Sequence, residues 1–242
     1  MERAADEAFP DLALIIPTLN EAEGIDQVLR ELDEVLGSKV NVEYIVIDGG
    51  SVDKTPEIAK KRGATVMLQE GDGGKGQAIG EALQRIDPRT RYVALMDADY
   101  TYPAEYIPKM IELLEQNRKV GMVTGDRFVK RFEVESAIHD AFYLGNRILA
   151  FSEYILNGVK LRDPLTGLRV VRRRVLSAWR PRSKGFDIEV ELNCRVYRSG
   201  LDTVEIPIHY RKRLGEKKLK LRHGLAIFKR LIIEVLHEKL LS

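Results

Sequence analysis

The chain has one cysteine, four histidines without metal-ligand spacing, and no apolar run long enough to cross a bilayer. Each scarcity excludes something. Cys194 alone cannot form an internal disulfide, which fits a reducing cytosol, and it reads as a small apolar residue on a helix. Without roughly 18 to 20 consecutive apolar residues, any membrane contact is expected to be peripheral. Met1 to Asp11 is polar and acidic, unlike a secretory leader. His139, His209, His223 and His237 are assigned no chemistry.

The net charge of +2 hides an asymmetry. From Pro207 onward there are ten Lys/Arg against three acids, so this segment is +7 and the first 206 residues are −5. An acidic body with a basic tail points to a phosphate-bearing ligand or an anionic membrane surface. It does not point to nucleic acid, because aromatic residues are not interleaved with the charges there.

At 242 residues and 44% hydrophobic content, the chain can bury a full core as one large domain. Its first hundred residues alternate strand and helix. Leu12–Ile16, Tyr44–Ile47, Thr65–Leu68 and Tyr92–Met96 are short apolar runs with the length of buried strands. Between them lie a helix through Val28, Leu29, Leu32, Val35 and Leu36, N-capped by Asn20 with Glu23 three residues on, one starting at Thr55-Pro56 and ending at Gly63, and one over Gln77–Ile86. Apolar strands alternating with helices predict an α/β fold with a parallel sheet covered on both faces. A later strand is expected at Val204–Ile208.

In such sheets the ligand crevice lies at the carboxyl ends of the strands. Asn20, Glu21, Asp48, Gly71–Lys75, Asp97 and Asp99 all fall at those ends. Gly71–Gly76 (GDGGKG) matches a dinucleotide fingerprint, but it follows the third strand rather than the first, and Lys75 precedes Gly76 where a Walker loop needs Ser or Thr. A glycine turn with Lys75 at a helix start can still hold an anion through backbone N–H groups. In VALMDADYTYP, Asp97 and Asp99 would share a face of an extended strand, and two such charges need a compensating cation or the water of a solvated strand end.

Taken in order, IPTLNE (Ile16–Glu21), DGGSVDKT (Asp48–Thr55), MDADYTYPAEYIP (Met96–Pro108), GDRF (Gly125–Phe128), DPLTGLRVVRR (Asp163–Arg173), GFDIEVEL (Gly185–Leu192) and VEIPIHYRKRLGEKKL (Val204–Leu219) resemble the family 2 glycosyltransferases. Within them, the resemblance is to polyprenyl-phosphate sugar synthases of the dolichyl-phosphate-mannose type. It implies a GT-A (Rossmann-like) fold, with a mainly parallel mixed sheet flanked by helices. It further implies metal-dependent, inverting transfer of a hexose from GDP-mannose or a UDP-sugar to dolichyl or polyprenyl phosphate.

The implied roles follow residue by residue. Pro17, Leu19, Glu21 and Ala98 line the donor pocket, and Asp48 accepts a hydrogen bond from the base. Asp97 and Asp99 hold Mg²⁺ or Mn²⁺ against the diphosphate, with Asp99 the more direct ligand. Lys75, Arg147 and Lys218 bind the donor; Arg127, Arg147 and Arg213 bridge the donor diphosphate and the acceptor phosphate, and Arg127 and Arg213 count with Asp99 as catalytic. Arg169 is read as a structural brace of the Asp163–Gly167 turn. A lipid phosphate is already ionised near neutral pH, so cations rather than a general base are required.

Two departures, Gly49 in place of a second acid and Thr101 in place of a glutamine, leave the nucleotide open. GGKGQA around Lys75 is similar to relatives that use UDP-sugars.

The division expected is 1–218 as catalytic domain and 219–242 as an amphipathic helix. Leu221, Leu225, Phe228, Ile232, Leu236 and Leu240 form one stripe of that helix; Lys229, Arg230, Glu234, His237 and Glu238 lie on the other side. It would meet a membrane, the domain or a subunit. Expected partners are the nucleotide sugar and the polyprenyl phosphate, with a membrane-embedded subunit left open and no nucleic acid. The expected location is the cytoplasm, at the cytoplasmic face of a membrane. Two alternatives stand beside this reading: the same fold with a soluble acceptor such as a phosphorylated glycerate, and a non-catalytic nucleotide-sugar-binding module.

Overall fold

The computed structural model describes residues 9–71, 73–128, 137–216, 218 and 221–241. Among them seven strands form one mixed sheet in the order β3-β2-β1-β4-β6-β5-β7. The strands are β1 (Leu12–Thr18), β2 (Val42–Asp48), β3 (Thr65–Leu68), β4 (Tyr92–Leu95), β5 (Val120–Asp126), β6 (Arg169–Arg172) and β7 (Asp202–Pro207). Helices α1 (Ala22–Leu36), α2 (Thr55–Lys61), α3 (Lys75–Leu83), α4 (Ile107–Gln116), α5 (Ala137–Asn157), α6 (Ile188–Arg198) and α7 (Leu221–Leu241) flank it.

Pairing is parallel between β1 and β2, β1 and β4, β2 and β3, and β5 and β7; β6 runs antiparallel between β4 and β5. The first four strands therefore bear out the parallel reading, and β6 makes the sheet mixed.

Alternation along β1 sorts its side chains into two layers. Leu12, Leu14 and Ile16 pack with Ile25, Val28, Leu29 and Leu32 of α1. Ala13 and Ile15 face the other way, toward Ala78, Ile79 and Ala82 of α3 and Ile188 and Leu192 of α6. Because both faces are covered, β1 is apolar throughout. A third, smaller cluster joins Val190 and Cys194 of α6 to Ile227 and Leu231 of α7, so the cysteine is buried on a helix as expected.

Local corrections are instructive. Asn20 does not cap α1: it adopts φ 51°, its side-chain oxygen accepts the Val52 N–H, and the helix starts at Ala22. Tertiary bonding to the loop after β2 outcompetes the local cap. The third helix starts two residues earlier than predicted, at Lys75. β3 is an edge strand with Leu68 exposed, and not a buried one.

Helix α7 packs on α5 and α6 with Arg230 and Glu234 of its charged stripe turned inward and Lys229 left exposed. Arg230 Nε lies 2.8 Å from Asp187 Oδ2, and its Nη1 is 3.8 Å from Glu191 and 3.6 Å from Glu234. Arg198 also reaches Glu234 at 2.6 Å. Arg230 and Glu234 are buried, whereas Leu225, Phe228, Ile232 and Leu236 are exposed.

Candidate active site at the carboxyl edge of the sheet

The polar residues gather at the carboxyl ends of β1, β2 and β4, as the topology requires. β4 ends at Leu95, so Asp97 and Asp99 stand in the following loop and not on an extended strand; Tyr100, at φ 64°, reverses the chain. That loop is pressed against α1. A Cβ on Gly24 would collide with Ala98 O and lie 2.9 Å from Asp99 Cα, so α1 can approach only through a glycine. Ala98 is buried beneath.

Asp99 is held on both sides. Its Oδ1 accepts the Thr101 N–H (3.0 Å) and hydroxyl (2.5 Å), and its Oδ2 is ion-paired with Arg213 Nη2. Thr101 thus orients the carboxylate. Burial, and next the neighbouring Asp97 charge, push Asp99 above the usual carboxylate range. Asp97 moves the other way: burial opposes ionisation, but Lys75 overcomes it. Lys75 Nζ lies 2.6 Å from Asp97 Oδ1 and 2.7 Å from Glu189 Oε1. Burial would lower the lysine, yet the two carboxylates raise it. Gly167 closes the far side of Asp97, because a Cβ there would strike Oδ2.

Where the glycine turn runs into α3, two amides are already taken. The Gly76 and Gln77 N–H groups both donate to Lys184 O, at 3.2 and 3.3 Å. A Cβ at Gly76 would collide with Ser183 O. Gly74 and Gly76 serve close backbone packing against residues 183–185.

Glu21 is buried, with Oε1 3.5 Å from Arg213 Nη1 and Oε2 lacking a hydrogen-bond partner. Burial raises its pKa to about 7, against the opposing pull of Arg213. Pro17 is half-buried and Leu19 exposed at the mouth of the cleft. Asp48 binds its own turn: Oδ2 accepts Gly50 N (3.1 Å) and Ser51 N (2.8 Å), and Oδ1 accepts the Ser51 and Thr18 hydroxyls.

The segment after β7 folds across the site. Arg211 N donates to Thr101 O (2.9 Å) and Leu214 N to Asp99 O (3.0 Å), which delivers Arg213 to Asp99. Lys218 Nζ reaches Asn20 O at 3.4 Å. Lys217, another basic candidate, lies outside the described residues.

Arg127 makes a two-pronged pair with Asp163, at 2.7 Å on each arm, and sits over the rings of Phe128 and Tyr210. Arg169 is the brace it was expected to be. It is buried, donating to Thr166 O (2.9 Å), Pro164 O (2.5 Å) and Asn193 Oδ1 (2.5 Å). Arg147 is exposed on α5.

Residue-level reasoning missed Asp163, Glu189 and Asn193 as site residues. All three lie in or beside the DPLTG and GFDIEVEL stretches, but only the fold brings them to Arg127, Lys75 and Arg169.

No three His, Cys, Asp or Glu side chains among the described residues form a metal cluster. Two hard carboxylates at the cleft nonetheless fit a divalent ion whose remaining ligands are phosphate oxygens and water.

Residues 13–180 match the model for glycosyl transferase family 2. The chain is 36% identical over 235 residues to a dolichyl-phosphate hexose transferase of Haloferax volcanii, covering 96% of this chain and 97% of that one. It is 28% identical over 223 residues to a dolichol-phosphate mannosyltransferase of Pyrococcus furiosus, covering 90% of this chain and 60% of the relative. A crystal structure of glucosyl-3-phosphoglycerate synthase from Mycobacterium tuberculosis with Mg²⁺ and uridine diphosphate superposes with a TM-score of 0.74 at 22% identity, over 93% of this chain and 79% of that one. That likeness establishes the fold.

Proposed function

Because the chain belongs to glycosyl transferase family 2, we propose that it moves a hexose from a nucleotide-diphosphate sugar to a polyprenyl phosphate held at a membrane surface. One observation carries the acceptor assignment: the charged cleft runs into an apolar face. Arg127 lies 5.3 Å over the Phe128 ring, and Phe128 packs edge-on at 5.2 Å with Tyr143 of α5. Beyond Tyr143, α5 exposes Leu144, Ile148, Phe151 and Ile155, and the adjoining α7 exposes Leu225, Phe228, Ile232 and Leu236. Among the described side chains of these two helices, the exposed charges are Arg147 and Lys229, and no acid is exposed. An apolar surface with only cations suits an anionic bilayer, which would keep the isoprenoid tail while its phosphate enters beside Arg127. No helix among the described residues is long and apolar enough to cross a membrane.

In this reading Asp97 and Asp99 hold Mg²⁺ or Mn²⁺, which supplies Lewis-acid neutralisation of the departing nucleoside diphosphate. Arg213 and Lys218 approach the donor phosphates from the segment folded over the cleft. Arg127, steered by Asp163, faces the acceptor phosphate. The acceptor oxygen needs no base, since a phosphate monoester has a second pKa of about 6. The nearby Glu189 is ion-paired with Lys75, which suits a positioning rather than a proton-accepting role. Direct displacement converts an α-linked donor into a β-linked product: the acceptor oxygen bonds to the anomeric carbon as the bond to the diphosphate breaks.

The test is incubation with Mg²⁺ or Mn²⁺, dolichyl phosphate and labelled UDP- and GDP-sugars, followed by solvent extraction. Label in the organic phase that vanishes with Asp99→Ala supports the reading and names the donor. Label confined to water across the whole panel overturns the lipid acceptor.

A further inference from the structure

A second polar cavity lies at the opposite end of β4 from Asp97. It encloses about 470 Å³, within the range of small-molecule sites, between the start of β4 and the end of β6. Its walls include Thr90, Arg91, Tyr92, Arg172, Arg173 and Arg174, and none of its lining residues is acidic.

Three of the four arginines have no carboxylate partner among the described residues. Arg172 donates to the carbonyls of Val120 (2.7 Å), Asn117 (3.2 Å) and Leu114, and Arg174 to Arg118 O (3.0 Å). Carbonyls satisfy N–H groups without cancelling charge. Arg91 alone is partly neutralised, by Glu115 at 3.1 Å and Asp11 at 3.9 Å.

Two buried polar atoms in the same wall have no hydrogen-bond partner: Arg173 Nε and the hydroxyl of Thr90, a residue only 2% exposed. A buried donor left unpaired is costly, and a concave surface with one sign of charge concentrates counter-ions.

We infer that this cavity is a binding site for a small soluble phosphate-class anion, independent of the donor cleft. Arginine donors matched to tetrahedral oxyanions and a neutral hydroxyl are the chemistry such a ligand needs. The anion would take its hydrogen bonds from Arg173 Nε and Thr90 Oγ1.

The site can be tested with pyrophosphate by calorimetry, in EDTA so that no divalent ion recruits it to the carboxylate cleft. Saturable binding is expected to survive Arg213→Ala. It should weaken about tenfold in Arg173→Met, the scale of one lost charge-assisted hydrogen bond, and by a smaller factor in Thr90→Val. Thr90→Val is nearly isosteric, so it decides the matter if Arg173→Met fails to fold. Absence of saturable binding, unchanged binding in both cavity variants, or loss of binding in Arg213→Ala would each overturn the assignment. None of these readouts depends on transferase activity.

Discussion

The two halves of the chain contribute to the cleft in opposite currencies. Residues up to α4 supply the acids: Glu21, Asp48, Asp97 and Asp99, each placed within four residues of a strand end. Residues after β5 supply most of the cations and the braces, over long separations. Arg213 reaches Asp99 and Glu21, Asp163 anchors Arg127, and Glu189 anchors Lys75. An acid at a strand end needs only the strand to place it. The cations need the whole sheet, because β6 must enter antiparallel between β4 and β5 before the Asp163–Gly167 turn meets Asp97.

The comparison breaks most visibly at Asp99. Asp99→Ala should lower transfer roughly a thousandfold or more, since Lewis-acid stabilisation is worth several kcal/mol. It should also abolish Mn²⁺ binding measured by paramagnetic resonance. Arg213→Ala, on the cationic side, should cost roughly a hundredfold in kcat, the scale of one lost transition-state donor. Mn²⁺ binding should persist, and that split separates a phosphate-binding cation from a metal ligand.

A purely structural cation should behave differently. Arg230→Ala leaves Asp187, Glu191 and Glu234 around an empty place and should lower unfolding free energy by about 3–5 kcal/mol in urea titrations. Phe228→Glu with Ile232→Glu changes only exposed side chains. Stability should move by less than about 1 kcal/mol, while flotation with vesicles containing anionic lipid should be lost.

Glu153 of α5 gives a pH signature. Burial raises its pKa from 4.5 to about 8, against the pull of the Asn193 amide and of Arg169. The native state therefore holds a proton that the unfolded chain releases near pH 4.5. Its contribution is full below that pH and is lost as pH rises toward 8. Glu153→Gln should flatten this decline between pH 5 and 8 when stability is followed by urea unfolding.

Much of the acidic half was legible from local pattern. Apolar runs located β1, β2 and β4, and Asp97 and Asp99 were identified from their place after β4. Yet even there the strand geometry invoked for the pair was wrong: the chain turns at Tyr100, and Thr101 orients Asp99. In the later half β5 and β6 were not read, since β6 is four residues long with arginines at both ends. Arg169 was readable as a brace because it follows the turn it supports by only two residues. Asn193, its partner 24 residues away, was not.

By itself the sequence determined the alternating βα frame, the acidic strand ends, the presence of two opposed stripes on the last helix and, through ordered motifs, membership of the family. Hydrophobic periodicity is local, so it can be read along the chain. Tertiary structure decided which stripe of α7 turns inward, that Lys75 bridges Asp97 and Glu189, that Arg127 is steered by Asp163, and that four arginines surround a cavity far from the cleft. Periodicity reports that a helix has two faces without saying what each will meet. Here Asp187, just before α6, and Glu191 within it were offered to α7, and an arginine that finds carboxylates in the interior goes inward.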